Sequence, residues 1–169
     1  MENHSSKDLS GKDIEFEPSP IGRGAFGKVY KGKLIATGQI VAIKTVFQDK
    51  RYKNRELQVM KELRHPNIVQ YLGSYYTKGK TEDEVFLNVV MEYVPVTLSD
   101  LISKYKKSSK QFAIQTIKVM AFQMLKSIGY LHSIGICHRD IKPQNIMLNL
   151  EDYSLKICDF GCAKRLVKG

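Results

Sequence analysis

The hydrophobic pattern of this chain changes character once, at Met91-Glu92-Tyr93-Val94-Pro95, and that change restricts the fold more than any other feature. Before it, apolar residues come in short β-branched and aromatic runs. Ile14-Glu15-Phe16-Glu17 alternates apolar with acidic, and Ile21 through Phe47 carries turn signals at Gly22-Arg23-Gly24 and Thr37-Gly38. Strands are expected near 14–22, 27–36, 39–47, 68–76 and 84–91, the second alternating poorly because Lys31, Gly32 and Lys33 interrupt it. A single helix is expected among them, across 53–63, where Leu57, Met60 and Leu63 recur at three-residue steps. His65-Pro66-Asn67 ends it, since a proline excludes the residue before it from the αR region. After Pro95 helical spacing dominates. Thr97-Leu98-Ser99-Asp100 offers a capped start to a short helix. Ile117, Met120, Met124, Ile128 and Leu131 trace an apolar stripe, expected to be core, on a longer helix over 112–134 that stops at Gly135. Ile146-Met147-Leu148 and Leu155-Lys156-Ile157-Cys158 read as short strands. The pattern is α+β, with a strand-rich part over 14–92, a hinge at 93–96 and a mainly helical part over 97–169. Residues 1–13 are polar and lack periodicity, and read as a disordered arm.

The residues that can do chemistry sit at matched places in this pattern. Cys137-His138-Arg139-Asp140-Ile141-Lys142-Pro143-Gln144-Asn145 is answered by Asp159-Phe160-Gly161. Two carboxylates, a lysine and an amide in so short a span suit metal-assisted phosphoryl transfer: one carboxylate orients an attacking hydroxyl, and the other holds Mg²⁺ on nucleotide phosphates. An aspartate after an arginine is, taken alone, more often a capped turn. In the strand-rich part, Gly22-Arg23-Gly24-Ala25-Phe26-Gly27-Lys28-Val29 allows a tight turn whose amides can approach phosphates. The same spacing also suits a dinucleotide fold, which needs a helix opening at Gly27. Val29-Tyr30-Lys31-Gly32-Lys33 is a poor helix start, so a glycine-rich hairpin lid is expected instead. Val41-Ala42-Ile43-Lys44 places Ala42 and Lys44 on one strand face, where they could meet a base and the phosphates respectively. Glu56, on the expected helix, could turn toward Lys44, although an isolated lysine or glutamate at such positions is ordinarily a solvated charge. Backbone groups at the hinge could bond an adenine edge.

Composition narrows the partners. The chain has 169 residues, 43% hydrophobic and 26% charged, which is ordinary for a globular protein. No apolar run approaches the ~20 residues of a membrane span, and the N-terminus lacks the apolar core of a signal peptide, so an intracellular chain is expected. Cys137, Cys158 and Cys162 form no even-numbered framework and suit a reducing compartment. His132, Cys137, His138, Cys158 and Cys162 lack a Cys-x-x-Cys pair and argue against zinc. The net charge of +10 would suit nucleic acid, but basic residues are interspersed with acids apart from Lys104-Tyr105-Lys106-Lys107 and Lys50-Arg51-Tyr52-Lys53. An acidic or phosphorylated protein partner explains the excess equally well.

With glycine lid, Val-Ala-Ile-Lys strand, helix glutamate, hinge, His-Arg-Asp-x-x-x-x-Asn and Asp-Phe-Gly in that order, the chain resembles the first two-thirds of a protein kinase domain. Gln48 through Gln58, Glu92-Tyr93-Val94-Pro95, His138 through Asn145 and Cys158 through Lys164 are similar to the glycogen synthase kinase 3 family, and the similarity extends from Phe16 to Gly169. The resemblance implies a bilobal fold: a five-stranded antiparallel N-lobe with one main helix, and a truncated, mainly helical C-lobe ending within the activation segment. It implies ATP and Mg²⁺ as cofactors and transfer of the γ-phosphate to Ser or Thr. Asp140 would be the catalytic base, Lys142 a γ-phosphate contact, and Asn145 and Asp159 the metal ligands. Lys44 paired with Glu56 would hold the α- and β-phosphates. Gly22, Gly24 and Gly27 would cover the phosphates, and Ile21, Val29, Ala42, Met91 and Met147 would enclose adenine, with Glu92, Tyr93 and Val94 at the hinge. Substrates phosphorylated four residues C-terminal to the target are expected, their phosphate meeting Arg55, Arg139 and Lys164. Val96 stands where the family shows an acidic residue, and Cys162 where it shows a small polar one. The sequence stops before the Ala-Pro-Glu motif and the later helices, so weak or absent catalysis is expected, with exposed apolar area on the 112–134 helix and the two strands after it. The alternative reading is a non-catalytic ATP-binding or competitor module. Cytoplasmic or nuclear location is expected, neither membrane nor nucleic acid is an expected partner, and the oligomeric state is open.

Overall fold

A computed structural model describes residues 7–24, 27–49, 51, 53–81 and 83–166. The chain divides into two compact units, Met1–Glu62 with Gln70–Tyr93, and Leu63–Val69 with Val94–Gly169.

In the first unit, β1 (Lys7–Asp8), β2 (Ile14–Gly24), β3 (Gly27–Leu34), β4 (Ile40–Phe47), β5 (Tyr71–Lys78) and β6 (Val85–Glu92) form one sheet in the order β1-β5-β6-β4-β3-β2, and α1 (Arg55–Glu62) follows β4 in sequence. Every pairing from β2 to β6 is antiparallel, which is the expected five-stranded sheet. β4 is central and buried at Val41, Ala42, Ile43, Lys44 and Val46. The Lys31-Gly32-Lys33 interruption has a packing cause. A Cβ on Gly32 would lie 2.6 Å from Ile43 Cδ1 and 2.9 Å from the Glu15 carbonyl oxygen, so only glycine fits between β2 and β4. Gly27 opens a strand, not a helix. It pairs with Gly24, has φ +147°, and a Cβ there would collide with the Thr45 carbonyl.

The N-terminal arm differs from expectation. Residues 1–6 lie outside the described set, as do Ala25 and Phe26 of the glycine turn and residues 167–169. From Lys7 the chain is ordered: β1 adds to the sheet edge parallel to β5, pairing Lys7 with Gly73. A 3-10 turn, Gly11–Asp13, follows, with Ser10 N donating to Asp13 Oδ2 at 2.7 Å. Leu9 packs on the cluster of Ile14, Val41, Ile43, Tyr75 and Val90. A sheet edge offers backbone partners whatever the side chains are, so polar composition did not reveal this strand.

The second unit contains β7 (Val96–Thr97), α2 (Leu98–Lys107), α3 (Ile114–Ser133), β8 (Ile136–Cys137), β9 (Ile146–Leu148), β10 (Leu155–Ile157) and β11 (Lys164–Arg165). They form a sheet ordered β10-β9-β7 and a two-stranded β11-β8 ribbon. Thr97 caps α2, its Oγ1 accepting from Asp100 N at 3.0 Å. The expected strand-rich range of 14–92 is broken, because Leu63–Val69 belongs to this second unit. Asn67 Nδ2 donates to the Leu155 carbonyl and to Gln123 Oε1, Val69 N bonds the Ile157 carbonyl, and His65 stacks on Tyr130 at 5.1 Å.

On α3 the expected stripe is covered only toward its C-terminal end. Leu131 is 1% exposed, Met120, Met124 and Ile128 are half-buried, and Ile117 is exposed. Phe122 and Leu125, off that stripe, are 63% and 69% exposed. Helical spacing says which residues share a face but not what covers it. No described helix is long and apolar enough to cross a membrane.

Candidate active site

Lys44 lies on buried β4, between Val29 of β3 and Val89 of β6. α1 delivers its partner: Asn54 Oδ1 accepts from Leu57 N at 2.9 Å and starts the helix, placing Glu56 in the first turn. Lys44 Nζ donates to both carboxylate oxygens of Glu56, at 2.7 and 2.9 Å, and each side chain is only 10% exposed. Taking either partner away would strand a charge in a poorly hydrated place, so the pair fixes where the ammonium stands. Ala42 pairs with Met91 across β4 and β6, both buried. Val29 is half-buried and Ile21 exposed. Glu92 is bonded to Gln70 twice, its N–H donating to the Gln70 carbonyl and its Oε1 accepting from Gln70 N. The Tyr93 ring lies under Lys31 Nζ at 5.5 Å. Gly24 has open space where a Cβ would sit, so nothing in the described residues explains a glycine there.

The second unit assembles the loop that follows β8. His138 is 3% exposed. Its Nδ1 accepts from Asp140 N at 3.2 Å, which places the ring proton on Nε2, and Nε2 donates to the Cys158 carbonyl at 2.9 Å. The ring also meets Phe160 edge-on at 4.9 Å, and Phe160 is fully buried. One imidazole thus ties Asp140 to the segment carrying Asp159, and burial holds its pKa below the ordinary value. Arg139 (φ +65°) and Asp159 (φ +61°) are both non-glycine residues in the left-handed region, one beside His138 and the other beside Phe160. Such backbone costs on the order of 1–3 kcal/mol per residue and persists where the surroundings over-determine it.

Asp140 is held from two sides. Lys142 Nζ stands 2.7 Å from Oδ2, and Asn145 Nδ2 donates to both the Asp140 carbonyl and Oδ2 at 2.9 Å. The bond from Lys142 lowers the carboxyl's pKa, and the Lys142 pKa is raised in return. Among the described residues Asp140 Oδ1 and Asn145 Oδ1 accept no hydrogen bond. Asn145 also receives Cys158 N on its carbonyl at 3.0 Å, which brings the residue preceding Asp159 beside it. Met147 is half-buried on β9, and Val94 is buried. Arg139 donates Nε to the Cys162 carbonyl at 2.7 Å. Lys164, paired with Cys137 across the β11-β8 ribbon, lies close to it in the fold, and both side chains are exposed. Arg55, exposed at the start of α1, belongs to the other unit. Sequence reasoning missed the positioning role of His138. Its signal was a polar ring flanked by Ile136 and Cys137, an apolar setting in which a histidine needs partners.

The sequence matches the protein kinase domain family over residues 17–169. The chain belongs to the protein kinase family. A similar protein, "Protein kinase gsk31" of the fission yeast Schizosaccharomyces pombe, is 45% identical over 157 residues, which cover 92% of this chain and 41% of that protein. The chain therefore spans about two-fifths of that relative's length.

Kinase domains use ATP and typically Mg²⁺, and the residues present fit both. A carboxylate at Asp159 and an open amide oxygen at Asn145 are hard oxygen donors of the kind Mg²⁺ takes together with water and phosphate oxygens. Among the described residues no group of three or more His, Cys, Asp or Glu could hold a metal alone. The Lys44 ammonium, fixed by Glu56, is a charge that suits phosphates.

Proposed function

We propose that the chain is the catalytic region of an ATP-dependent protein serine/threonine kinase of glycogen synthase kinase 3 type, acting on proteins already phosphorylated near the target residue. The observation that carries the reading is the Asp140 carboxylate, clamped through Oδ2 by Lys142 and Asn145 with Oδ1 left open. The similarity to the fission yeast kinase gsk31 supports the family branch.

In this reading Asp140 Oδ1 accepts the hydrogen bond of a substrate hydroxyl and aims its oxygen lone pair. The new oxygen–phosphorus bond forms as the bond to the bridging oxygen of ATP breaks, and the hydroxyl proton passes to Asp140. A carboxylate held ionised by Lys142 is a weak base. That suffices where bond-breaking leads, because the hydroxyl gives up its proton late. Lys142 sets positive charge beside the transferred group, and Lys44, fixed by Glu56, does so for the α- and β-phosphates. Asn145 and Asp159 hold Mg²⁺, which when bound neutralises charge on the phosphate oxygens. The protein's part is position and preset charge. Arg139, with its terminal nitrogens unbonded among the described residues, Lys164 and Arg55 are the cations for the priming phosphate.

The test is transfer from γ-labelled ATP to two peptides that differ only in a phosphoserine four residues after the target. Preference for the primed peptide, reduced by Lys164→Ala and absent in unphosphorylated controls, is the expected result. Nucleotide-dependent thermal stabilisation without transfer would place the chain with the competitor modules instead. The absence of both transfer and stabilisation would end the reading.

A further inference from the structure

The second unit holds a cavity of about 420 Å³ that none of the candidate active-site residues lines. Leu101 and Leu148, both buried, form its floor. Tyr105 and Phe112, stacked with ring centroids 4.3 Å apart and planes 2° from parallel, make one wall. Met120 of α3 and Leu150 of the β9–β10 turn make the other. Gln111, Gln115, Thr116 and Asn149 line it as well, and a mainly apolar space of this size with a few polar groups is what a ligand side chain needs.

The turn wall is fixed in place. Asn149 N bonds the Ser154 carbonyl, Glu151 N bonds Asn149 Oδ1, and Ser154 N bonds Asp152 Oδ1. Gln123 of α3 then pins the turn, donating Nε2 to the Tyr153 carbonyl at 2.9 Å and accepting Leu155 N on Oε1 at 2.8 Å. Tyr153, left-handed at φ +56°, stands 60% exposed on the lip. A phenol and a leucine held out toward solvent by so many bonds form a preformed surface and not a loose loop.

Charge distinguishes the two ends. Lys104, Lys106, Lys107 and Lys110 surround Tyr105 in sequence, and among the described residues none of them forms an ion pair. Lys104 and Lys107 also line a neighbouring hollow of about 520 Å³ with Asp100, Ser103 and Ser108. Asp100, the acid closest in sequence, is committed to Thr97 at 2.7 Å. The α2 C-terminus accounts for some basic preference through the helix dipole, but Lys110 lies beyond the helix. The acids near the other lip, Glu151 and Asp152, belong to the turn.

We propose that this groove is a docking site for an acidic, apolar peptide segment of a partner protein. Its leucine-like side chains fill the cavity, and its carboxylates or phosphates lie over Lys104–Lys110. RNA would satisfy the lysines but has no aliphatic side chains for the cavity, so peptide is favoured.

The probe is a fluorescein-labelled peptide with two leucines spaced by one residue and an Asp/Glu tail, titrated by anisotropy without nucleotide, so that the outcome is independent of phosphotransfer. Saturable, salt-weakened binding is expected. Leu150→Asp and Lys107→Glu/Lys110→Glu should each weaken it at least tenfold with unchanged thermal unfolding, and the double charge reversal should gain affinity for a Lys-tailed peptide. No saturable binding, or affinity indifferent to both variants, overturns the proposal. So does poly(U) binding as tightly as the peptide and remaining insensitive to Leu150→Asp.

Discussion

His138 shows how much one side chain can organise. Its two ring nitrogens join Asp140 to Cys158, and its edge packs on Phe160. That arrangement needs the neutral ring. Burial lowers its pKa from 6.5, so the unfolded chain binds more protons than the folded one in mild acid. The stability this group supplies is complete above about pH 6.5 and is lost as pH falls below that value. His65, also lowered by burial and by Lys126 and Lys156, acts with the same sign. The midpoint of thermal unfolding should therefore be level from pH 7 to 8 and drop between pH 6.5 and 5. His138→Gln should lower the free energy of unfolding by about 2 kcal/mol at pH 7.5 and flatten the acid slope of the midpoint. A slope unchanged by the substitution would contradict the role of this ring. Asp140 has its own window at lower pH, since its carboxyl is depressed and loses its charge only below the usual carboxylate range. An activity loss between pH 6.5 and 5 should accordingly follow unfolding, not protonation of Asp140.

At the scale of elements, β3 and α3 fail expectation in opposite ways. The broken alternation of β3 looked like a weak strand, yet it pairs with β4 in unbroken register and its glycine answers crowding by Ile43 and the Glu15 carbonyl. Gly32→Ala should destabilise by about 1–3 kcal/mol through overpacking, measured by urea unfolding, and a neutral effect would refute the crowding. The stripe of α3 looked like core and is only partly covered. Strands, the main helices and the turn chemistry at Thr97 and Gly27 were legible because they rest on local rules. β1, β7, β8, β11 and the membership of Leu63–Val69 were not. They rest on backbone pairing and on Asn67, whose partners Leu155 and Gln123 lie far along the chain. For the site, motif spacing pointed to the residues of both clusters. It could not reveal the tautomer of His138 or which oxygen of Asp140 stays open.

For the whole molecule, the proposed function assigns a part to each unit: the buried lysine–glutamate pair of the first to the nucleotide phosphates, and Asp140, Asn145 and Asp159 of the second to the hydroxyl and the metal. The exposed Phe122 and Leu125 on α3 bear on handling the chain. Exposed apolar side chains on one helix favour self-association, so Phe122→Glu with Leu125→Lys should reduce the apparent mass in light scattering at high concentration. A monomeric parent chain would contradict that. The central claim is that Asp140 orients the attacking hydroxyl while other residues bind the nucleotide. Single-turnover phosphotransfer with Asp140→Asn, beside nucleotide affinity measured on the same sample, tests it most directly. The account predicts a loss of transfer of about 10²-fold or more with affinity for Mg·ATP nearly unchanged. Transfer at the parent rate would contradict it.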